Sequence, residues 1–104
     1  MIQFSVESLS ERKAVICLKG DLDIDSTEVV EEKILPEIAG YSEVTLDFAE
    51  VPFVDSSGMG LLLNVVHFLN DQDKSVKIIN VKEDVQIVFD LLQIPEILGE
   101  DIFI

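Results

Sequence analysis

The sequence predicts an α/β domain, a mixed β-sheet of four to five strands with helices packed on it. Three observations lead there. The chain opens with apolar residues at alternate positions, Ile2, Phe4 and Val6, and a second β-prone run follows at 14–19, which is the pattern of a hairpin. From there on, strand-like and helix-like runs take turns, as parallel neighbours joined by crossover helices require. The length of 104 residues suits one core and is too small for a second, so 1–104 is expected to be a single domain.

Each element has its own signal. A polar turn at 8–11 separates the two hairpin strands, and Gly20 ends the second. A first helix is expected from Asp25, with Glu28 three residues on in capping-box spacing and Val30, Ile34 and Ile38 on one stripe. Pro36 removes a backbone hydrogen bond and is expected to kink or end that helix near Leu35. Val44, Leu46 and Phe48 alternate in a third strand, and a second helix is expected over 57–70. After a polar turn at 71–75 comes a strand at 76–80. Asn80 and Glu83 then stand at capping distance ahead of a third helix, whose Val85, Val88, Phe89 and Leu92 share a face. Pro95 is expected to bar its continuation, and 102–104 to form a last edge strand.

Composition narrows the function. Hydrophobic residues at 48% and charged residues at 27% indicate a globular chain. A net charge of −14, from 21 acidic and 7 basic residues, repels nucleic acid and anionic membranes and favours a basic or nucleotide-handling partner. Neither nucleic acid nor a membrane is an expected partner. Cys17 is the single cysteine; it is expected to be buried in its strand, which suits a reducing, cytoplasmic compartment. The N-terminal segment lacks the pattern of a signal peptide, and the most apolar run, 58–69, falls short of the roughly 20 residues that span a bilayer.

Catalysis and metal binding find few candidates. His67 is the only histidine, so no histidine cluster for a metal can be assembled, and Asp21, Asp23 and Asp25 lack the glycine and terminal glutamate of an EF-hand loop. A G-x-S-x-G elbow and a phosphate-cradling Walker loop are both missing. His67 lies roughly 16 Å along its helix from Ser56 at 1.5 Å per residue, too far to take a proton from that serine. No catalytic residue, no enzymatic activity and no cofactor are expected.

The most informative segment is 44–60, VTLDFAEVPFVDSSGMG. It reads as a strand, a short loop, and then Asp55, Ser56 and Ser57 at the mouth of a helix. Such an end has unpaired N–H groups and a positive partial charge, so a side-chain oxygen caps it and a phosphate there is electrostatically welcome. Gly58 and Gly60, lacking a Cβ, are expected to leave the surface open to another protein. Along the helix, Leu62, Val65 and Leu69 centre the inward face, flanked by Leu61, Val66 and Phe68. Met59 and Leu63 fall on its shoulder near the serines and are candidate partner contacts.

This strand-loop-DSSGxG-helix segment, with Gly20-Asp21-Leu22-Asp23 after the second strand, resembles the STAS family over nearly the whole chain. Within it, the resemblance is to the free-standing anti-sigma factor antagonists. It implies that Ser56, directly after the motif aspartate, is a phosphorylation site. It also implies that Asp23, Asp55, Ser57 and Gly58 lie on the same recognition surface. The unmodified protein would bind an anti-sigma factor with serine kinase activity and free the sigma factor, and a metal-dependent serine phosphatase would reverse the modification. The family usually carries a further C-terminal helix, expected to be absent here. The alternative is a free-standing STAS subunit or adaptor of a larger complex, for example in lipid transport, without a phospho-switch.

Overall fold

Alternation along the strands puts one face of the sheet in the core. In the computed structural model, which describes residues 2–99 together with Ile102 and Phe103, β1 (Gln3–Ser8) and β2 (Lys13–Lys19) pair antiparallel, with Phe4 opposite Leu18 and Val6 opposite Ile16. Then β3 (Glu43–Glu50) and β4 (Ser75–Ile79) join in parallel, giving the order β1-β2-β3-β4 with Ile16, Leu46 and Ile78 level across three strands. The two-residue side-chain period sends Ala14, Ile16, Leu18, Val44, Leu46, Phe48, Val76 and Ile78 to one face, and all are buried. Their neighbours Val15, Cys17, Thr45 and Asp47 point the other way and are only half-buried. Cys17 is therefore not a core residue as its apolar surroundings in sequence suggest. It sits on the open face because its parity is that of Val15, not of Ile16.

Crossovers that connect successive parallel strands in one direction across the sheet keep one hand, so the helices share the core face. Helix α1 (24–38) changes character along its length: a 3-10 turn at Ile24–Ser26, an α turn at Thr27–Val29, a π turn at Val30–Ile34 and an α turn at Leu35–Ile38. Its cap is Asp23, two residues before the expected Asp25. The reciprocal partner is Ser26 rather than Glu28: Asp23 N–H donates to Ser26 Oγ at 3.2 Å, and Asp25 N–H to Asp23 Oδ1 at 3.1 Å. Ser26 is fully buried and so needs both of its bonds; its hydroxyl donates to the Asp21 carbonyl at 3.1 Å. Nor does Pro36 end the helix, which runs on to Ile38. The wide π turn lies just before it and includes Glu32, whose carbonyl a proline four residues on would crowd in a regular α turn.

Helix α2 (Ser56–Asp71) buries Met59, Leu61, Leu62, Val65, Val66 and Leu69, while Phe68 is half-buried against the core. Helix α3 (Glu83–Leu91) packs through Val85 and Phe89, and the Phe89 ring meets Phe48 and Phe103 edge-on, with centroids 6.0 and 5.6 Å apart. Asn80 does not cap α3. The N-cap is Lys82, without a side-chain bond, while Asn80 takes a left-handed turn (φ 58°) and donates from Nδ2 to Asp47 Oδ1 at 3.2 Å. Leu92, expected on the inward face of α3, is its exposed C-cap.

The third helix does end before Pro95, as expected, yet the proline itself stands inside a new helix. Gln93 turns left-handed (φ 58°) and separates α3 from a short α4 (Ile94–Leu98), where Pro95 stands in the first turn and its missing N–H has no partner to lose. The expected edge strand contracts to a single parallel bridge between Phe103 and Ile78, with Ile102 in a 3-10 turn; Ile104 lies outside the described residues.

The Phe48–Phe89–Phe103 cluster joins α3 and the chain end to the sheet. Phe89→Ala is expected to lose about 3–5 kcal/mol of unfolding free energy, read by urea denaturation, since it empties a fully buried aromatic site.

Candidate functional site

The parallel strands β2 and β3 end side by side, and the loops that follow them stay zipped together. Gly20 N–H donates to the Glu50 carbonyl at 3.0 Å, Leu22 N–H to Phe53 at 3.0 Å, and Asp55 N–H back to Leu22 at 3.3 Å. Leu22 and Val54 form a parallel bridge and bury their side chains. This fixes the path of 51–55 and delivers Asp55 to the head of α2 in an extended conformation (φ −97°, ψ −174°). Its Oδ1 accepts from Gly58 N–H at 2.8 Å, and its carbonyl accepts from Met59 N–H at 2.9 Å.

With Asp55 as the cap, Ser56 and Ser57 are the first two residues of α2. Ser56 is exposed and Ser57 half-buried. Neither hydroxyl makes a hydrogen bond among the described residues, because the aspartate has already taken the capping role. Asp23 and Asp55 are half-buried and Asp21 and Asp25 exposed, and the hydrogen bond from Asp55 N–H to the Leu22 carbonyl ties the segment that carries Asp21 and Asp23 to the residue before the serines. His67 is exposed further along α2, remote from this group.

Two expected contacts prove to be internal. Gly58 is buried, and a Cβ built on it would stand 1.9 Å from the Leu22 carbonyl oxygen and 3.0 Å from Val54 Cγ1. Its missing side chain lets the first turn of α2 press against the backbone of the protein's own Leu22 loop, so it does not open the surface to a partner. At Gly60 nothing lies within 4 Å of such a Cβ, and that glycine does leave open space. Met59 is 3% exposed and belongs to the core. Because α2 is seated this deeply, its shoulder turns inward at Met59. Leu63, one turn on, remains half-buried at the edge of the core.

The structure also brings up two residues that the sequence left unnoticed. Ile24, the first residue of α1, is 65% exposed, and Phe53, in the loop before Asp55, is 51% exposed. The signal for Phe53 was its place beside Val54 in an extended segment, where successive side chains take opposite sides. For Ile24 the tight 3-10 turn after Asp23 breaks the alternation that buries Leu22.

A protein-family model described as the STAS domain matches residues 7–103. The chain belongs to the STAS domain family. An anti-sigma-B factor antagonist of Staphylococcus epidermidis is 30% identical over 80 residues, covering 76% of this chain and 74% of the relative. Among solved structures, the anti-sigma factor antagonist SpoIIAA in its unphosphorylated form superposes with a TM-score of 0.77 at 27% identity, covering 98% of this chain and 86% of that one. The Bacillus cell fate determinant SpoIIAA in its phosphorylated form gives 0.71 at 25% identity, covering 98% and 89%. Among the described residues of this STAS chain, no helix is long and apolar enough to cross a membrane. Among those same residues no three His, Cys, Asp or Glu side chains group to hold a metal ion.

The two glycines of α2 should respond oppositely to alanine. Gly58→Ala is expected to cost about 3 kcal/mol or more, because its Cβ meets backbone that cannot rotate away. Gly60→Ala should be neutral or stabilise by roughly 0.5–1 kcal/mol, the ordinary gain in helix propensity. Asp55→Ala should lose about 1 kcal/mol with the cap. Denaturant titration of the three variants beside wild type measures all of these.

Proposed function

We propose that this protein is an anti-sigma factor antagonist switched by phosphorylation of Ser56. Unmodified, it binds an anti-sigma factor that is also a serine kinase, and so frees the sigma factor. The kinase adds the phosphate, the modified form lets go, and a metal-dependent serine phosphatase restores it. The observation that carries this reading is the state of Ser56. It is the exposed first residue of α2, its hydroxyl makes no hydrogen bond among the described residues, and it belongs to a chain whose relatives bear the name of anti-sigma factor antagonists.

The chemistry supports a switch that acts on the partner rather than on the fold. A phosphate adds about −1.5 to −2 charges. At the head of α2 it meets a favourable helix end, while Asp21, Asp23, Asp25 and Asp55 around it are repelled. These opposing contributions leave little net drive to rearrange a head already locked by the Asp55 cap and the Gly58 contact. The new charge is felt instead by whatever protein lies against Ser56, where a dry contact would have to desolvate it. In this reading the chain is a regulator without catalysis, acting in the cytoplasm with its kinase and phosphatase. Asp23, Asp55, Ser57 and Leu63 border the contact, and Gly58 shapes it from beneath.

Calorimetric titration with the cognate anti-sigma factor tests the proposal. Ser56→Asp is expected to weaken binding by about 2–5 kcal/mol with an unchanged melting temperature, and Ser56→Ala to bind but resist modification. Phosphopeptide mapping should find the label on Ser56 and not on Ser57. Retained affinity of a folded Ser56→Asp would remove the switch and favour a passive adaptor.

A further inference from the structure

We infer that Ile24 and Phe53 together form the apolar anchor of the partner surface. Its occupant is an apolar pocket rimmed by lysine or arginine on the anti-sigma factor, and phosphate on Ser56 acts by wetting that contact. The inference rests on the Ser56 reading above and identifies what the switch interrupts.

Both side chains are large, apolar and more than half exposed, 29 positions apart in sequence, Phe53 in the loop before α2 and Ile24 at the start of α1, two residues after the Leu22 that pairs with that loop. The pairing of Leu22 with Phe53 and Val54 ties the loops together, and the buried Leu22 and Val54 fasten them from below. The pair is therefore presented on a held backbone, and a partner need not order it on binding. Exposed aromatic and branched side chains of this kind supply binding energy when they enter a desolvated pocket.

Charge selects the occupant. Neither 20–32 nor 51–73, the segments that build this surface, contains a lysine or arginine, whereas Asp21, Asp23, Asp25, Glu28 and Asp55 are all present. A second copy would bring acid against acid, and an anionic membrane fares no better. A cationic rim around an apolar pocket complements the surface in both respects. Ser56 heads α2 directly after the loop that carries Phe53, so a dianionic group there brings its hydration shell to the edge of the same contact.

The test uses the full chain and its cognate anti-sigma factor, with binding rates measured by surface plasmon resonance and folding by thermal melts. Ile24→Ser and Phe53→Ser should each weaken binding at least tenfold, chiefly through faster dissociation. Phe53→Leu should stay within about threefold, and Leu91→Ser, which removes a still more exposed apolar side chain from α3, should change nothing. In the Ser56→Asp background the loss caused by Phe53→Ser should shrink, since the contact it removes is already disrupted. Raising the salt concentration should slow association. If Ser56→Asp weakens binding while Ile24→Ser and Phe53→Ser bind as wild type, the anchor is overturned and the switch stands. Full additivity of Ser56→Asp and Phe53→Ser would overturn the wetting mechanism. If wild type itself does not bind the anti-sigma factor, the switch and the anchor both fail. Should Phe53→Ser lower the melting temperature, the ratio of dissociation rates for Ile24→Ser and Leu91→Ser decides alone.

Discussion

The first turn of α2 lies against the carbonyl of Leu22 so closely that only a glycine fits between them. Much of the site follows from that approach. It brings the loop after β2 next to the loop after β3, where three backbone hydrogen bonds hold them together. It seats α2 deep enough to turn Met59 into the core, and it leaves Ser56 exposed at the rim. A larger residue at 58 would lift the helix head away from Leu22 and separate the two halves of the surface. Close backbone approach here serves to assemble the candidate site from within.

A head held in this way suits a switch that works by charge. The Asp55 cap satisfies the Gly58 N–H, and the bridge between Leu22 and Val54 closes the loops beneath. Little remains for a phosphate to rearrange, and the surrounding aspartates offset part of the attraction from the helix end. In the proposed switch the consequence of modification would fall on the interface, where hydration matters most. The same rigidity makes Ile24 and Phe53 effective contacts, because their backbone is already fixed.

The rest of the molecule supports this end of the sheet. Helices lie against one face only, so the core is a single layer between strands and helices, closed at its edge by the aromatic rings of Phe48, Phe89 and Phe103. Irregular segments occur where local chemistry conflicts with the regular pattern. Pro36 is accommodated by a π turn, and Asn80 and Gln93 adopt left-handed turns that direct the chain into α3 and α4.

By itself the sequence determined the alternation of strands and helices, the opening hairpin, the inward stripe of α2 and the placing of Asp55, Ser56 and Ser57 at one helix mouth. Those features follow from local periodicity and from the capping preference of Asp, which a short window contains. Tertiary structure alone decided which small or apolar residues face outward. Gly58 was legible as a residue without a side chain, but its neighbour, the Leu22 carbonyl, comes from a loop 36 positions earlier. Met59, on the shoulder of the helical wheel, went into the core and the apolar Phe53 went to the surface, since burial depends on how deeply α2 is seated and on which side of a bridged loop a residue falls. The capping partner of α1 was Ser26 rather than Glu28 because a buried hydroxyl must find its hydrogen bonds within the fold. Long-range backbone contacts set those outcomes, and no local pattern of residues encodes the distance between two loops.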